Sequence, residues 1–552
     1  MRSRALWPSI AVAVLACGDS TGVSTDPTRC DADAAAPLAL SVGQSQTITG
    51  ARAGCARVRD AGLYLVSPQL TGAVTRATRY ATQVGSPGAP VEPPAGTTLG
   101  VSASEANLHA AFERRLRTFE RQVAPEAAAR YQQRDRTLRL REVPAVGTAS
   151  TFSVLNTLAV SEAFASVRAT AVYVGASVIV YADTAAVGAF SSGQWAAFGE
   201  VFDASLHPAA VSAFGATSDL DGNGRTIVLF TPVVNALVNE LECAQLGYVN
   251  GFFFANDLRL GAPGGNDGEI FYSYVPDPTG RWSCPHAAAE VRETIPPTFI
   301  HELQHMISFH QHVLVRRGAP EVTWLNEGLS HIAEELGSRI WEARYPPPAG
   351  RANTSRLLPD SAYPYLRGNL TNATRWLEFP TGSSLSVLAE DSPGTLGERG
   401  AAWLFLRWLA AHRGSGLFRE LVQTAQVGAR NVEAVSGRPF AADVADFATA
   451  LWMDSLPGAP RPTEPRRTFG DRNLRSLFFE FQQRDPARAS GTFPLIPLTI
   501  SGEQRRLLGI PAGGFGVLSW QAGSGSLLSF RRPDNRAFGD SLGAQLVVTR
   551  VQ

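Results

Sequence analysis

The stretch Thr298–Leu314, TFIHELQHMISFHQHVL, contains four of the nine histidines in the chain, together with one glutamate. His301 and His305 are four residues apart, and Glu302 directly follows the first of them. On a helix, at about 100° per residue, both imidazoles project from nearly the same side, one turn apart. The spacing therefore predicts two metal ligands and a neighbouring carboxylate on one rigid element.

This arrangement is the H-E-x-x-H motif, in which two neutral imidazoles bind one Zn²⁺ and the carboxylate acts as a general base towards a metal-bound water. The alternatives are a surface histidine cluster and a chance match, which is expected in about one such chain in a hundred. Because prolines are tolerated at a helix start, Pro296 and Pro297 predict that the helix begins near Thr298.

A catalytic zinc site takes three protein ligands and keeps one position open. A histidine six residues after His305 would complete one type of site, but Gln311 occupies that position. His310 and His312 lie one residue to either side, and we interpret them as exposed residues or residues that only border the ligands. Glu327, in the amphipathic stretch TWLNEGLSHIAEELG, is the candidate third ligand on a second helix.

In HELQHMISF and TWLNEGLSHIAEEL, the sequence resembles the hyicolysin-type peptidases, a gluzincin family related in site design to thermolysin. The resemblance includes SDLDGNGRTIVLF, GYVNGFFFANDL and NDGEIFYSYVPDP, and it extends from about Phe152 to Ser455. It implies an α+β zincin-like catalytic domain and a zinc-dependent endopeptidase that acts on protein or peptide substrates. It also implies a ligand set of His301, His305 and Glu327 for one catalytic Zn²⁺, with Glu302 as the general base.

Asn326 and His331 border the third ligand and are expected to orient it or its neighbours. Two features depart from the pattern of the family. His331 stands where thermolysin-like enzymes have an acidic residue, and the helix that contains Glu398 and Arg399 lacks the tyrosine that relatives tend to have there. The residue that stabilises the oxyanion is therefore left open among Tyr363, Tyr365 and Arg399.

The N-terminal sequence predicts export. Arg2 and Arg4 precede the apolar run ALWPSIAVAVLA, which is too short to span a bilayer. VLAC, ending at Cys17, resembles a bacterial lipobox, in which the cysteine carries the lipid of the mature chain. We therefore expect a lipid-anchored protein of the bacterial cell envelope, on the outer membrane or cell surface; a simple cleaved signal is the alternative.

The other four cysteines fall into two couples that are local in sequence. Four cysteines allow three pairings, and an oxidising compartment favours disulfides. We expect the local pairs, Cys30 with Cys55 and Cys243 with Cys284.

The sequence from Ser104 to about Arg134 is helical in composition, and Pro125 is expected to break the helix. A stripe of apolar residues along it predicts a packing face, formed by Leu108, Phe112, Leu116 and Phe119.

Composition limits the remaining possibilities. Basic and acidic residues number 49 each, so the formal net charge is zero. Nucleic-acid binding, which usually shows a clustered basic excess, is therefore not expected.

A hydrophobic content of 44% is that of a globular protein, and the length favours several domains. We predict a catalytic domain with flanking all-β modules: 1–17 lipoprotein signal peptide, 18–100 N-terminal β module and linker, 101–147 helical connector, 148–455 catalytic domain and 456–552 C-terminal β module.

DLDGNGR, which begins at Asp219, resembles the start of a calcium-binding loop because Asp219, Asp221 and Asn223 alternate. However, Phe230 occupies the position of the closing glutamate, and a turn between strands accounts for the stretch equally well.

Two alternative functions remain at this stage. One is a surface binding or adhesion protein that has lost turnover, and the other is hydrolysis of a non-peptide amide in the cell wall. The intact H-E-x-x-H motif together with Glu327 argues against the first alternative.

Overall fold

The computed structural model of the chain describes residues 36–72, 79–92, 108–134, 142–160, 163–344, 358–381, 394–470, 472–489, 491, 493–511 and 513–552. The predicted signal peptide, the lipid-bearing Cys17 and the pairing of Cys30 with Cys55 lie outside the described residues.

The first described segments form four strands and one long helix, which are β1 (Ser45–Thr49), β2 (Cys55–Arg57), β3 (Gly62–Leu70), β4 (Arg79–Gly85) and α1 (Leu108–Gln133). The next part alternates strands with short helices: β5 (Ala149–Leu155), β6 (Phe164–Val174), β7 (Val178–Asp183), α2 (Ser192–Val201), α3 (His207–Phe214), β8 (Thr226–Phe230), α4 (Pro232–Asn235), α5 (Glu240–Leu246), β9 (Gly251–Phe253) and β10 (Ile270–Ser273).

A helical region follows, with α6 (Ala288–Phe309), α7 (Thr323–Arg344), α8 (Tyr363–Glu378), α9 (Leu396–Arg413), α10 (Gly416–Val422), α11 (Gly428–Ser436), α12 (Phe440–Met453) and α13 (Leu474–Arg484). Six more strands complete the described chain: β11 (Leu498–Ser501), β12 (Arg505–Pro511), β13 (Gly514–Phe515), β14 (Leu518–Ala522), β15 (Leu527–Arg531) and β16 (Ala544–Arg550). The fold is therefore mixed α+β, with several sheets and a helical region, and it is consistent with a multidomain protein.

The central sheet has the strand order β5-β6-β7-β8-β10-β9. β8 pairs in parallel with both β7 and β10, and β9 closes one edge in antiparallel fashion. β7 and β8 are buried along their whole length, which agrees with their nearly continuous apolar sequences VIVYAD and TIVLF. The zinc-motif helix α6 packs against β9 and β10, so the sheet positions the candidate site.

α6 begins ten residues earlier than the prediction of a start near Thr298, and Pro296 and Pro297 lie inside it. A proline in a helix interior costs about 3 kcal/mol. Val291, Ile295 and Phe299 on the same helix are fully buried, and each such burial contributes about 1.5–3 kcal/mol. Burial of the apolar face therefore offsets the free-energy cost of placing the two prolines inside the helix.

The prediction that Pro125 breaks the connector helix is also wrong, because α1 continues through that residue. Its neighbours Val123, Ala124 and Ala127 are buried in the same core as the predicted stripe residue Phe112. Tertiary packing again outweighs the local cost of proline.

The strands near the two ends of the described chain form common sheets. One has the order β1-β16-β3-β14-β11, with β13 also pairing with β3, and the other has the order β12-β4-β15-β2. Each sheet thus combines strands from the predicted N-terminal and C-terminal β modules. The domain boundaries remain predictions, but the two β segments are joined by backbone hydrogen bonds.

The predicted disulfide between Cys243 and Cys284 is present, with a Cα–Cα distance of 5.9 Å. It links α5 to the segment just before α6. None of the described helices combines the length and the apolar character that crossing a membrane requires.

The contact between α8 and α9 gives a first testable prediction. A Cβ atom at Gly400 would lie 2.3 Å from the backbone of Asn372 and Ala373, whereas one at Gly416 on α10 would meet nothing within 4 Å. We expect Gly400→Ala to lower the free energy of unfolding by about 1–3 kcal/mol, because the helices must separate. Gly416→Ala should instead leave it unchanged or raise it by up to about 1 kcal/mol.

Urea unfolding of both variants measures the difference. Equal stability of the two variants would contradict the close approach of α8 and α9.

Candidate metal centre

The side chains of the H-E-x-x-H motif converge with Glu327 in the structure. His301 Nε2 lies 3.2 Å from His305 Nε2 and 3.6 Å from Glu327 Oε2, and His305 Nε2 lies 3.7 Å from Glu327 Oε1. Tetrahedral zinc with ligands at about 2.0–2.1 Å places neighbouring ligand atoms about 3.3 Å apart. All three separations are within about 0.4 Å of that value, with a different oxygen of Glu327 facing each histidine.

Glu302 lies beside this group and is held from one side. Its Oε2 accepts a hydrogen bond of 2.9 Å from the backbone N–H of Phe253, on the edge strand β9. Its Oε1 has no hydrogen-bond partner among the described residues and lies 4.0 Å from His301 Nε2. One oxygen is thus fixed, and the other is free to take a proton.

Each of the three candidate ligands has a partner behind it. His301 Nδ1 lies 2.7 Å from Glu334 Oε1, the Ser330 hydroxyl lies 3.2 Å from both ring nitrogens of His305, and Arg399 Nη1 lies 2.7 Å from Glu327 Oε2. With its Nδ1–H donated to Glu334, the His301 ring keeps Nε2 for a metal. Such partners fix the orientation of metal ligands.

Burial and charge set the protonation of the group. Burial tends to raise the pKa of Glu327, but Arg399 and His305 hold it well below its usual value. Burial lowers the pKa of His305 well below its usual value. The pKa of His301 is lowered by burial but raised by hydrogen bonds to Glu327 and Glu334, to about 10. A metal must therefore displace a proton from His301, whereas His305 and Glu327 already have the forms that bind metal.

A cleft of about 310 Å³ reaches the group. His301 and Glu302 line it, and so do His331, Arg399 and His109 of α1. The pKa of Glu302 is raised well above its usual value by burial and by the nearby Glu113, also on α1. A polar, partly open cavity thus leads to the carboxylate of the motif.

His310 and His312 do not contact this group in the described part of the chain. Both are buried, so of the two predicted alternatives, exposure or a position bordering the ligands, exposure is wrong. His310 Nδ1 lies 2.9 Å from the carbonyl oxygen of Ala216, and its Nε2 lies 3.2 Å from the Tyr131 hydroxyl. His312 Nε2 lies 3.8 Å from a Glu321 carboxylate oxygen. A π-helical turn over His310–Val315 carries both histidines.

Among the three candidates for the oxyanion partner, Arg399 reaches the site and binds Glu327. Tyr365 is buried against Gly337, and the ring of Tyr363 packs under the guanidinium of Arg484. His331 also lies at the site, with its ring centroid 5.0 Å from that of His301 and its Nδ1 3.1 Å from Glu334.

Sequence reasoning missed Glu334, His109 and Glu113. Glu334 is seven residues after Glu327, and this spacing of two helical turns was a signal for a shared face. Nothing local connects α1 to the motif, because the two segments are distant in sequence.

In the structure, Glu269 lies beside the candidate calcium ligands of the loop that begins at Asp219. Carboxylate oxygens of Asp219, Asp221 and Glu269 lie within 4.8 Å of one another. Asn223 Oδ1 instead accepts a hydrogen bond of 2.7 Å from the backbone N–H of Arg225. Calcium binding therefore stays a prediction, and a turn between strands stays its alternative.

Comparison with known proteins gives a distant and partial similarity. No family model matches the chain. The chain is 27% identical over 139 residues to the neutral metalloprotease ShpI of Staphylococcus hyicus, which covers 25% of this chain and 30% of that relative. The matched part thus spans less than a third of that relative, and the buried His301–Glu302–His305 group is a candidate metal-binding cluster of this chain.

Proposed function

We propose that the protein is a zinc-dependent endopeptidase. The single observation that carries the proposal is the convergence of His301, His305 and Glu327 at separations of 3.2–3.7 Å, with the free oxygen of Glu302 beside them. The partial similarity to a neutral metalloprotease supports the same reading. In this proposal, a zincin-like catalytic domain within 148–455 holds one Zn²⁺ and acts on protein or peptide substrates.

The donor set fits zinc, because two imidazoles and one carboxylate are the ligands of one well-known type of catalytic zinc site. Zn²⁺, when bound, would supply a Lewis acid that polarises a carbonyl and makes water acidic near neutral pH. Glu302 Oε1 then accepts the proton of the attacking water and returns it to the leaving amine. The hydrogen bond from Phe253 keeps Glu302 in place while the Glu302 carboxylate takes up and releases the proton.

The partners of the ligands have their own roles. Arg399 keeps Glu327 ionised in a buried position, and Glu334 orients His301. His331 and Arg399 line the cleft, where their N–H groups can donate to the developing oxyanion.

Replacement of the general base is the first test of the proposed mechanism. In Glu302→Gln, the side-chain oxygen can still accept the hydrogen bond from Phe253, but the amide cannot take a proton. We expect full zinc content and a loss of casein hydrolysis of at least about 10²–10⁴-fold. Zinc stoichiometry and casein cleavage are measured on the same preparation.

Loss of zinc in Glu302→Gln would contradict the assignment of Glu302 as a base. Hydrolysis of cell-wall material instead of casein by the unmodified protein would favour the amide-hydrolase alternative. Activity on neither substrate, by the unmodified protein or by Glu113→Gln, a variant of a buried carboxylate next to the site, would favour a surface binding protein.

The third ligand is tested separately. Glu327→Ala removes a charged ligand, and even an outer partner of a metal ligand typically contributes about 10–100-fold in metal affinity, so the zinc affinity should fall at least that much. His310→Ala and His312→Ala should keep nearly full zinc, because both side chains have partners elsewhere. Zinc stoichiometry after dialysis compares the three variants.

If Glu327→Ala stays fully loaded while either histidine variant loses zinc, a histidine is the third ligand and the resemblance to gluzincins must be abandoned.

We further propose, on sequence alone, that the chain is exported and anchored through a lipid on Cys17. The unmodified protein should then fractionate with membranes, and Cys17→Ser should be released into the soluble fraction, because it lacks the acylated thiol. Metabolic labelling with a fatty acid gives an independent readout. An entirely soluble unmodified protein would rule out the anchor.

A further inference from the structure

Helix α1 places three charged residues in the protein interior beside the candidate metal centre. Glu113, Arg117 and Glu120 have exposed fractions of only 0–2%. A carboxylate oxygen of Glu113 lies within 4.8 Å of a ring nitrogen of His305 and of a carboxylate oxygen of Glu327. A residue of the predicted connector thus reaches the same group as the zinc motif.

α1 is held firmly in this position. The ring of Phe112 packs edge-on against Phe252, with centroids 5.2 Å apart, and Phe119 stacks on Phe254 at 5.0 Å. Phe252 belongs to the edge strand β9, and Phe254 directly follows it. The aromatic contacts therefore fix α1 against the element that also anchors Glu302.

The carboxylate of Glu113 is poorly compensated in the described structure. Neither of its oxygens has a hydrogen-bond partner there. Its ion contact, with Arg117 Nη2, is 3.7 Å long, whereas the same nitrogen lies 3.2 Å from Glu120. A buried carboxylate without hydrogen bonds is costly, and a cation bound beside it would remove the cost.

We propose that Glu113 is a fourth protein ligand of the zinc ion and that α1 thereby holds the protein in a latent form. The inference rests on the proposed zinc site of His301, His305 and Glu327. Zinc with four protein ligands is a closed site, whereas catalysis requires an open position for water. Hydrolysis therefore requires that Glu113 withdraw from the metal.

The experiment uses the full chain and three proteins: unmodified, Glu113→Gln and Glu120→Gln. Glu120→Gln is a matched control, because it is on the same helix, equally buried and paired with the same arginine. Each protein is loaded with zinc to measure the dissociation constant, and with Co²⁺ to record the visible absorption spectrum. Acetohydroxamate, a small metal-directed ligand, is then added to the cobalt forms.

We expect Glu113→Gln to weaken zinc binding by at least about 10–100-fold, as the loss of a ligand should exceed the loss of an outer partner. Its cobalt spectrum should differ from that of the unmodified protein and should shift on addition of acetohydroxamate. The spectra of the unmodified protein and of Glu120→Gln should resist acetohydroxamate. Peptide hydrolysis by fully zinc-loaded Glu113→Gln should exceed that of the unmodified protein.

Two results would overturn the inference. If Glu113→Gln and Glu120→Gln change the zinc affinity equally, Glu113 acts only as a partner of Arg117. If the cobalt spectrum of Glu113→Gln is unchanged, Glu113 does not bind the metal. His301→Ala separates this failure from that of the proposed function. If His301→Ala binds zinc as tightly as the unmodified protein, the zinc site itself is wrong.

Discussion

The buried ion pair between Glu327 and Arg399 is the interaction on which the arrangement of the site depends. Both side chains are almost fully buried, and their charged atoms lie 2.7 Å apart. A carboxylate at this depth without a partner would cost several kcal/mol. Because Glu327 is on α7 and Arg399 is on α9, the pair orients α7 so that its carboxylate faces the histidines of α6. The same ion pair therefore fixes the position of α7 against α9 and the charge of the candidate ligand Glu327.

Much of the candidate site could be predicted because its members are close in sequence. Four-residue spacing places His301 and His305 on one face, and the next helix supplies Glu327. Glu113 could not be predicted, because its approach depends on how α1 docks against β9. The burial of His310 and His312 could not be predicted, because they contact Ala216, Tyr131 and Glu321, which lie outside the motif helix.

The secondary structure, like the site, is predictable only where the signal is local in the sequence. Apolar runs such as TIVLF predict buried strands correctly, because burial on both faces leaves a continuous signature. Local rules for proline fail in α1 and α6, where the packing of apolar faces outweighs them. The pairing of β1 and β3 with β16 has no local signature at all, so the sequence alone divides one β structure into two modules.

This strand pairing determines the order in which the protein can fold. Ser45 of β1 lies opposite Thr549 of β16, so the contact joins residues that are 504 positions apart in the sequence. Contacts of such long sequence separation form slowly, because a long loop must close before they stabilise the chain. β1 to β4 keep open edges until β11 to β16 have been synthesised, and during this interval they are exposed to aggregation.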